Sequence, residues 1–203
     1  MQLALRRTSG VPIFANGAVT GAFAAVMSQA AQRRSQNKGI VSSSESPETK
    51  ANREAFQKDL NALKTDGTLS SSRTFESADA AATEVLSVTA PLSHKYGLEV
   101  AGSIWKGDGG YSYTFPVIGG EGSALLTTAY TGYHTHPSGS LMFSNQFNNH
   151  SHSGGGDAGW VATSGKPLYL GVQVGSGVSI GVCSPDSCSN FGRKGTTPSR
   201  VLQ

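Results

Sequence analysis

An α/β domain is the fold class this sequence predicts: a mixed, mainly antiparallel sheet flanked by helices, with a helical N-terminal leader. Three observations point there. Two helix-length patterns lie at residues 46–66 and 77–91, and short alternating patterns then fill residues 98–183. The third is composition: 26 glycines and only 14% charged residues suit many turns and short strands better than a helical bundle. The 203 residues fit one domain of ordinary size with extra segments at its ends.

Residues 1–35 admit two readings. Met1 to Arg7 is basic, Val11 to Met27 is largely apolar, and Ser28-Gln29-Ala30 has the small residues of a cleavage site, which together outline a secretory signal. Pro12, Asn16, Gly17, Thr20 and Gly21 interrupt that apolar run, which argues against a signal core and against a spanning helix. Residues 36–72 hold a polar linker and then a helix. Ser46 is placed to cap it, Pro47 to occupy its first position, and Phe56, Leu60 and Leu63 to form its apolar stripe before Asp66-Gly67 ends it. Its other face is charged, so it is expected at the domain edge and without chemistry.

Ser77 caps the second pattern and Asp79 suits the positive end of its dipole. Ala80, Ala81, Val85 and Val88 form a face narrow enough for close approach to a sheet, and Pro91 predicts the stop. Leu98 to Trp105 reads as a strand, Lys106 to Gly110 as a turn, and Tyr111, Tyr113 and Phe115 as the returning strand. After the turn Gly119–Gly122, residues 124–135 are expected as one long strand. A short helix runs from Asp157 to Gly165, and Pro167–Val172 with Val178–Cys183 forms a last hairpin. Residues 184–203 are expected to be poorly ordered or to wrap an edge. Cys183 and Cys188 are the only cysteines; they could close a small loop or remain thiols, and their spacing does not suit a metal knuckle.

Chemistry concentrates around His134-Thr-His136-Pro137. On an extended segment, side chains two apart leave the same face, so both imidazoles can converge on one point. Pro137 ends the strand because it has no ladder donor. Beyond a Gly-rich loop, Asp157 opens the short helix. Two imidazoles and one carboxylate with a fourth position left to water form the ligand set of a catalytic zinc site. The alternative is a polar, His-rich surface, to which His150 and His152 would also belong. Upstream, Glu99 stands among Leu98, Val100, Ala101 and Ile104, where a carboxylate is either an edge residue facing water or a functional group; Gly102 would let another backbone or a ligand come close. Glu84 and Glu121 read as solvated, and Trp105 and Trp160 as core.

Glu99-Val-Ala-Gly102-Ser-Ile104, then His134-Thr-His136-Pro137, then a serine and an aspartate opening a helix, is similar to the JAB/MPN (JAMM) family of zinc metallopeptidases, over roughly residues 73–183. The family outline is Glu-x-x-Gly-x-aliphatic followed by His-x-His-Pro-x7-Ser-x2-Asp. Separately, Phe14-Ala-Asn-Gly-Ala-Val-Thr-Gly-Ala-Phe23 closely resembles a segment of bacterial Rhs-type polymorphic toxins just ahead of their variable toxin domain, and Asp157 to Gly171 resembles the JAB-like toxin branch. Four segments follow: a leader at 1–35, linker and helix at 36–72, a JAB-like, cytidine-deaminase-like catalytic domain at 73–183, and a tail at 184–203. The resemblance implies Zn²⁺ on His134, His136 and Asp157, with Glu99 as the proton carrier and a serine hydroxyl on the developing oxyanion. It also implies a protein or peptide substrate, a cognate immunity protein, a parent Rhs shell with its secretion apparatus, and delivery into a target cell.

The chain departs from that outline. Asp157 lies twenty-one residues after His136 rather than twelve, and Asn148, at the uninserted position, is a poor ligand. Ser153 is the first choice for oxyanion support and Ser144 its rival, while His150 or His152 could replace a ligand. The other classes to weigh are a nucleic-acid-directed toxin, nuclease or deaminase, and a non-catalytic JAB-like binding domain. A net charge of +3 with no Lys/Arg cluster longer than a pair makes no nucleic-acid footprint. The His-x-Glu and Pro-Cys-x-x-Cys pairs of zinc deaminases are absent from the sequence.

Overall fold

A computed structural model describes residues 45–144, 156–186 and 196–202. The leader expected at 1–35 and nearly all of the linker lie outside the described residues. Helix α1 (Pro47–Thr65) begins as its sequence dictates, with the Thr49 amide donating to Ser46 Oγ and Pro47 in the first turn. Phe56 and Leu60 are fully buried while most of the helix's other residues are exposed, so it packs on the domain edge by one apolar stripe, as its spacing predicts.

Helix α2 (Ala78–Tyr96) starts at the Ser77 cap and runs through Pro91, the expected stop, to Gly97, whose φ of 67° closes it in the left-handed conformation. Pro91 removes the hydrogen bond to the carbonyl of Ser87, four residues back, and Ser87 is exposed, so water can satisfy that carbonyl. The turn beyond Pro91 is held by tertiary contacts: Ser93 is buried and hydrogen-bonded, and Tyr96 stacks on Phe56 at 5.2 Å between centroids.

The strands β1 (Val100–Gly107), β2 (Gly110–Tyr113), β3 (Val117–Ile118), β4 (Thr131–Thr135), β5 (Leu168–Val174), β6 (Gly177–Cys183) and β7 (Arg200–Leu202) form one sheet. Their order is β2-β1-β4-β5-β6-β7, with β3 also on β1. Every pairing is antiparallel except β4–β5. A parallel pair needs a crossover, and this one carries helix α3 (Gly156–Ser164). The result is a mixed α/β fold, a mixed sheet with three helices about it.

Side-chain alternation divides the sheet into two faces. Tyr133, Tyr169, Val100 and Ile104 pack with α1 and α2, while Leu168, Leu170 and Val172 pack with Phe143 and with Val161 of α3. Residues 124–130 do not extend β4 as expected. They are irregular and mostly exposed, Leu125 at 77%, and β1 pairs with β4 only as far as Ile104↔Thr131. Part of the tail does pair, since β7 borders β6 and Arg200 makes a bidentate pair with Asp79 at 2.6 Å. Cys183 is buried and disulfide-bonded, not a thiol; the chain's other cysteine, Cys188, lies outside the described residues.

Candidate metal centre

The period of two along β4 decides which side chains meet. Tyr133 and Thr135 turn toward α2, where the Thr135 hydroxyl donates to Ser93 Oγ at 2.8 Å. His134 and His136 turn to the opposite face, His134 being 2% exposed beside Phe143. Glu99 immediately precedes β1 rather than lying within it, yet its place is fixed from both sides. Its N–H donates to Gly120 O and its C=O accepts from Gly119 N–H, each at 2.8 Å. A hydrogen-bond relay brackets it: Val100 N–H to Thr135 Oγ1, Thr135 hydroxyl to Ser93 Oγ, and Ser93 hydroxyl to Leu98 O. The end of α2, the start of β1 and the end of β4 are thereby locked together, with Glu99 6% exposed on the histidine face.

Helix α3 brings Asp157. The Ser144 amide donates to Asp157 Oδ2 at 2.7 Å, and the Asp157 amide donates to Ser144 Oγ at 3.1 Å. This reciprocal pair caps the helix and aims its carboxylate at the histidines. Gly156, at φ 75°, permits the close approach; a Cβ there would meet Ser144 Oγ at 2.7 Å.

The two Nε2 atoms of His134 and His136 are 3.2 Å apart. Asp157 spans them, Oδ1 lying 3.2 Å from His134 Nε2 and Oδ2 3.4 Å from His136 Nε2. A tetrahedral ion with bonds of about 2.0–2.1 Å keeps its ligand atoms about 3.3–3.4 Å apart, so these separations suit one ion between the three residues. The buried His134–His136–Asp157 group can bind a metal ion. His136 Nδ1 lies 3.2 Å from Ser140 O; a carbonyl only accepts, so Nδ1 donates there, which holds the ring with Nε2 toward Asp157 and His134.

The electrostatics favour a cation at this point. Burial pushes Asp157 up, but the charge of His134, hydrogen bonds from both histidines and the Ser144 amide outweigh it, holding the carboxyl well below the usual carboxylate range. Burial pushes His134 down, but Asp157, then Glu99 and the Tyr169 backbone reverse that and leave it raised. Burial lifts Glu99 above the usual range, with Asp157 adding and both histidines opposing. No family model, curated protein or solved structure matches the chain.

Of the expected site residues, Glu99, His134, His136, Asp157 and Ser144 converge, with Glu99 Oε1 3.9 Å from His136 Nε2. Ser153, His150 and His152 lie outside the described residues. Gly102 does not open space for a ligand: a Cβ there would overlap the Tyr133 ring, whose hydroxyl donates to Thr114 O. Glu84 pairs with Arg73 and Glu121 accepts from Thr49, so both are occupied away from the centre. Ser140 escaped the sequence reading because its backbone carbonyl acts, and no side-chain pattern marks a carbonyl. The link from His94 Nδ1 to Pro137 O at 2.9 Å, which steadies the turn after His136, is equally invisible to a motif.

Proposed function

We propose that this chain is a zinc-dependent peptidase or isopeptidase of the JAB/MPN (JAMM) kind, the effector domain of a bacterial Rhs polymorphic toxin. The observation that carries the peptidase reading is the convergence of two imidazole nitrogens and a carboxylate at 3.2–3.4 Å with a second, buried carboxylate 3.9 Å away. Zinc in such a site would acidify a water to a pKa of about 7 and polarise a scissile carbonyl. His134, His136 and Asp157 would hold it, being nitrogen and oxygen donors without cysteine, the make-up of a catalytic rather than a structural site.

Glu99 is the proton carrier in this mechanism. Its burial weakens its hold on the ionised form, which brings its affinity for a proton closer to that needed for taking one from water and returning it to a leaving amine. Ser144 Oγ accepts one hydrogen bond from the Asp157 amide, which leaves its own proton to donate to a developing oxyanion. Delivery by an Rhs shell and its secretion apparatus, neutralisation by an immunity protein, and action on a protein or peptide inside the target cell belong to the same proposal and rest on the resemblance of residues 14–23. Among the described residues no helix is long and apolar enough to cross a membrane.

Elemental analysis of the purified chain tests the metal, with stoichiometric zinc expected. Mapping new protein termini in intoxicated cells tests the chemistry. Metal-free protein, or cells whose nucleic acid is cut and whose proteins are intact, would sink the reading.

A further inference from the structure

Residues 196–202 cross back over the sheet and touch the segment that aims Asp157. Thr196, buried at 1%, exchanges two backbone hydrogen bonds with Phe143, each 2.9 Å. Phe143 is itself fully buried and its ring lies 6.3 Å from that of His134. The next residue is Ser144, whose amide and hydroxyl clamp Asp157. On its far side this stretch is anchored independently of the centre. Ser199 donates from both N–H and hydroxyl to Val182 O at 2.8 and 2.7 Å, Pro198 packs over Gly181, and β7 continues the sheet.

We infer that residues 196–202 are a strap that positions the Asp157 ligand, acting through the Thr196–Phe143 bridge and Ser144. The inference rests on the metal reading above. His134 belongs to a strand paired on both sides and His136 follows directly from it, so both need no further support. Asp157 instead reaches the centre from a nine-residue helix, and its carboxylate is aimed by Ser144 on a stretch outside the sheet. The Thr196 bridge supplies that stretch with a backbone pairing partner. Partners one layer behind a metal ligand commonly change metal affinity by about 10–100-fold, and the strap stands one layer further back.

Cobalt(II) titration of the full chain, followed by its visible absorption, tests this without recourse to activity. Thr196→Pro removes the N–H that donates to Phe143 O. It is expected to weaken cobalt binding about tenfold and to dim the intense bands of four-coordinate cobalt. Arg73→Gln breaks the Glu84 pair, outside the strap and away from the centre; it is expected to lower the melting temperature and leave cobalt affinity unchanged. A folded Thr196→Pro chain that binds cobalt as the parent does overturns the inference, as does an Arg73→Gln chain that loses affinity equally. Should Thr196→Pro fail to fold, Thr196→Gly is judged by the same criterion, with a smaller loss expected. A parent chain that binds no cobalt fails at the metal reading itself, a result distinct from all of these.

Discussion

Glu99 lies across from His136. The register that pairs Ala101 with His134, carried two residues on, sets them opposite each other, and Glu99 Oε1 is 3.9 Å from His136 Nε2. Directly opposed side chains on one face of an antiparallel pair are within reach of one another. An acidic group and the strand that carries the two imidazoles are thus joined by sheet geometry although 37 positions separate Glu99 from His136 in the sequence.

Glu99→Gln keeps the shape of that side chain and removes its capacity to take a proton. Zinc content is expected to stay stoichiometric while peptide hydrolysis falls by about 10²–10⁴-fold, the usual worth of a general base. Rate and elemental analysis on the same preparation check it. A fully active Glu99→Gln chain would defeat the assigned role.

Zinc at a hundredfold excess over its Kd is expected to stabilise the fold by about 2.7 kcal/mol. For a domain this size that is a rise in melting temperature of roughly 5–10 °C. Thermal melts with zinc, and with a chelator, read it directly. His134→Ala should abolish the rise, and a variant that still shows it would mean the ion binds elsewhere.

Gly102→Ala tests whether that glycine serves packing. The added methyl would overlap the Tyr133 ring, which is buried and hydrogen-bonded to Thr114 O. Overpacking of this kind costs about 1–3 kcal/mol, to be read from the urea midpoint. An unchanged midpoint would return Gly102 to a role at the site.

Acid should weaken the link between the strap and α2. The Arg200 guanidinium beside Asp79 outweighs burial, and with a hydrogen bond from Tyr169 it holds the Asp79 carboxyl below its ordinary value. A carboxyl depressed in the folded state stabilises above its unfolded pKa of about 3.9, and that contribution is lost as pH falls through the folded value. Urea unfolding of the parent and of Asp79→Asn should therefore differ at pH 7, by an amount that shrinks steadily as the pH falls below about 3.9. A gap that persists in acid would show that the charge is not its source.

The helices were legible because their signals are local. Ser46, Pro47 and Ser77 start them by satisfying amides within the next turn, and the stripe of Phe56 and Leu60 meets the core as its spacing implies. Pro91 misled for the same reason: its local cost is real, but the buried contacts of Ser93 and Tyr96 beyond it outweigh that cost. Residues 124–130 carry a strand-like composition, yet β1 pairs with β4 no further than Ile104↔Thr131, and pairing is a property of two segments.

By itself the sequence determined which side chains could meet, two imidazoles and two carboxylates, the two-residue spacing that puts both imidazoles on one face, and the capped helices that cover the sheet. Only the tertiary structure decided that Glu99 stands opposite His136, that Ser144 rather than any feature of its own helix aims Asp157, and that Thr196 backs Ser144. Spacing along a strand is fixed by the covalent chain and its pleat, so it can be read one residue at a time. Cross-strand register and backbone bridges arise from groups far apart in the chain, and no local pattern encodes where those groups will meet.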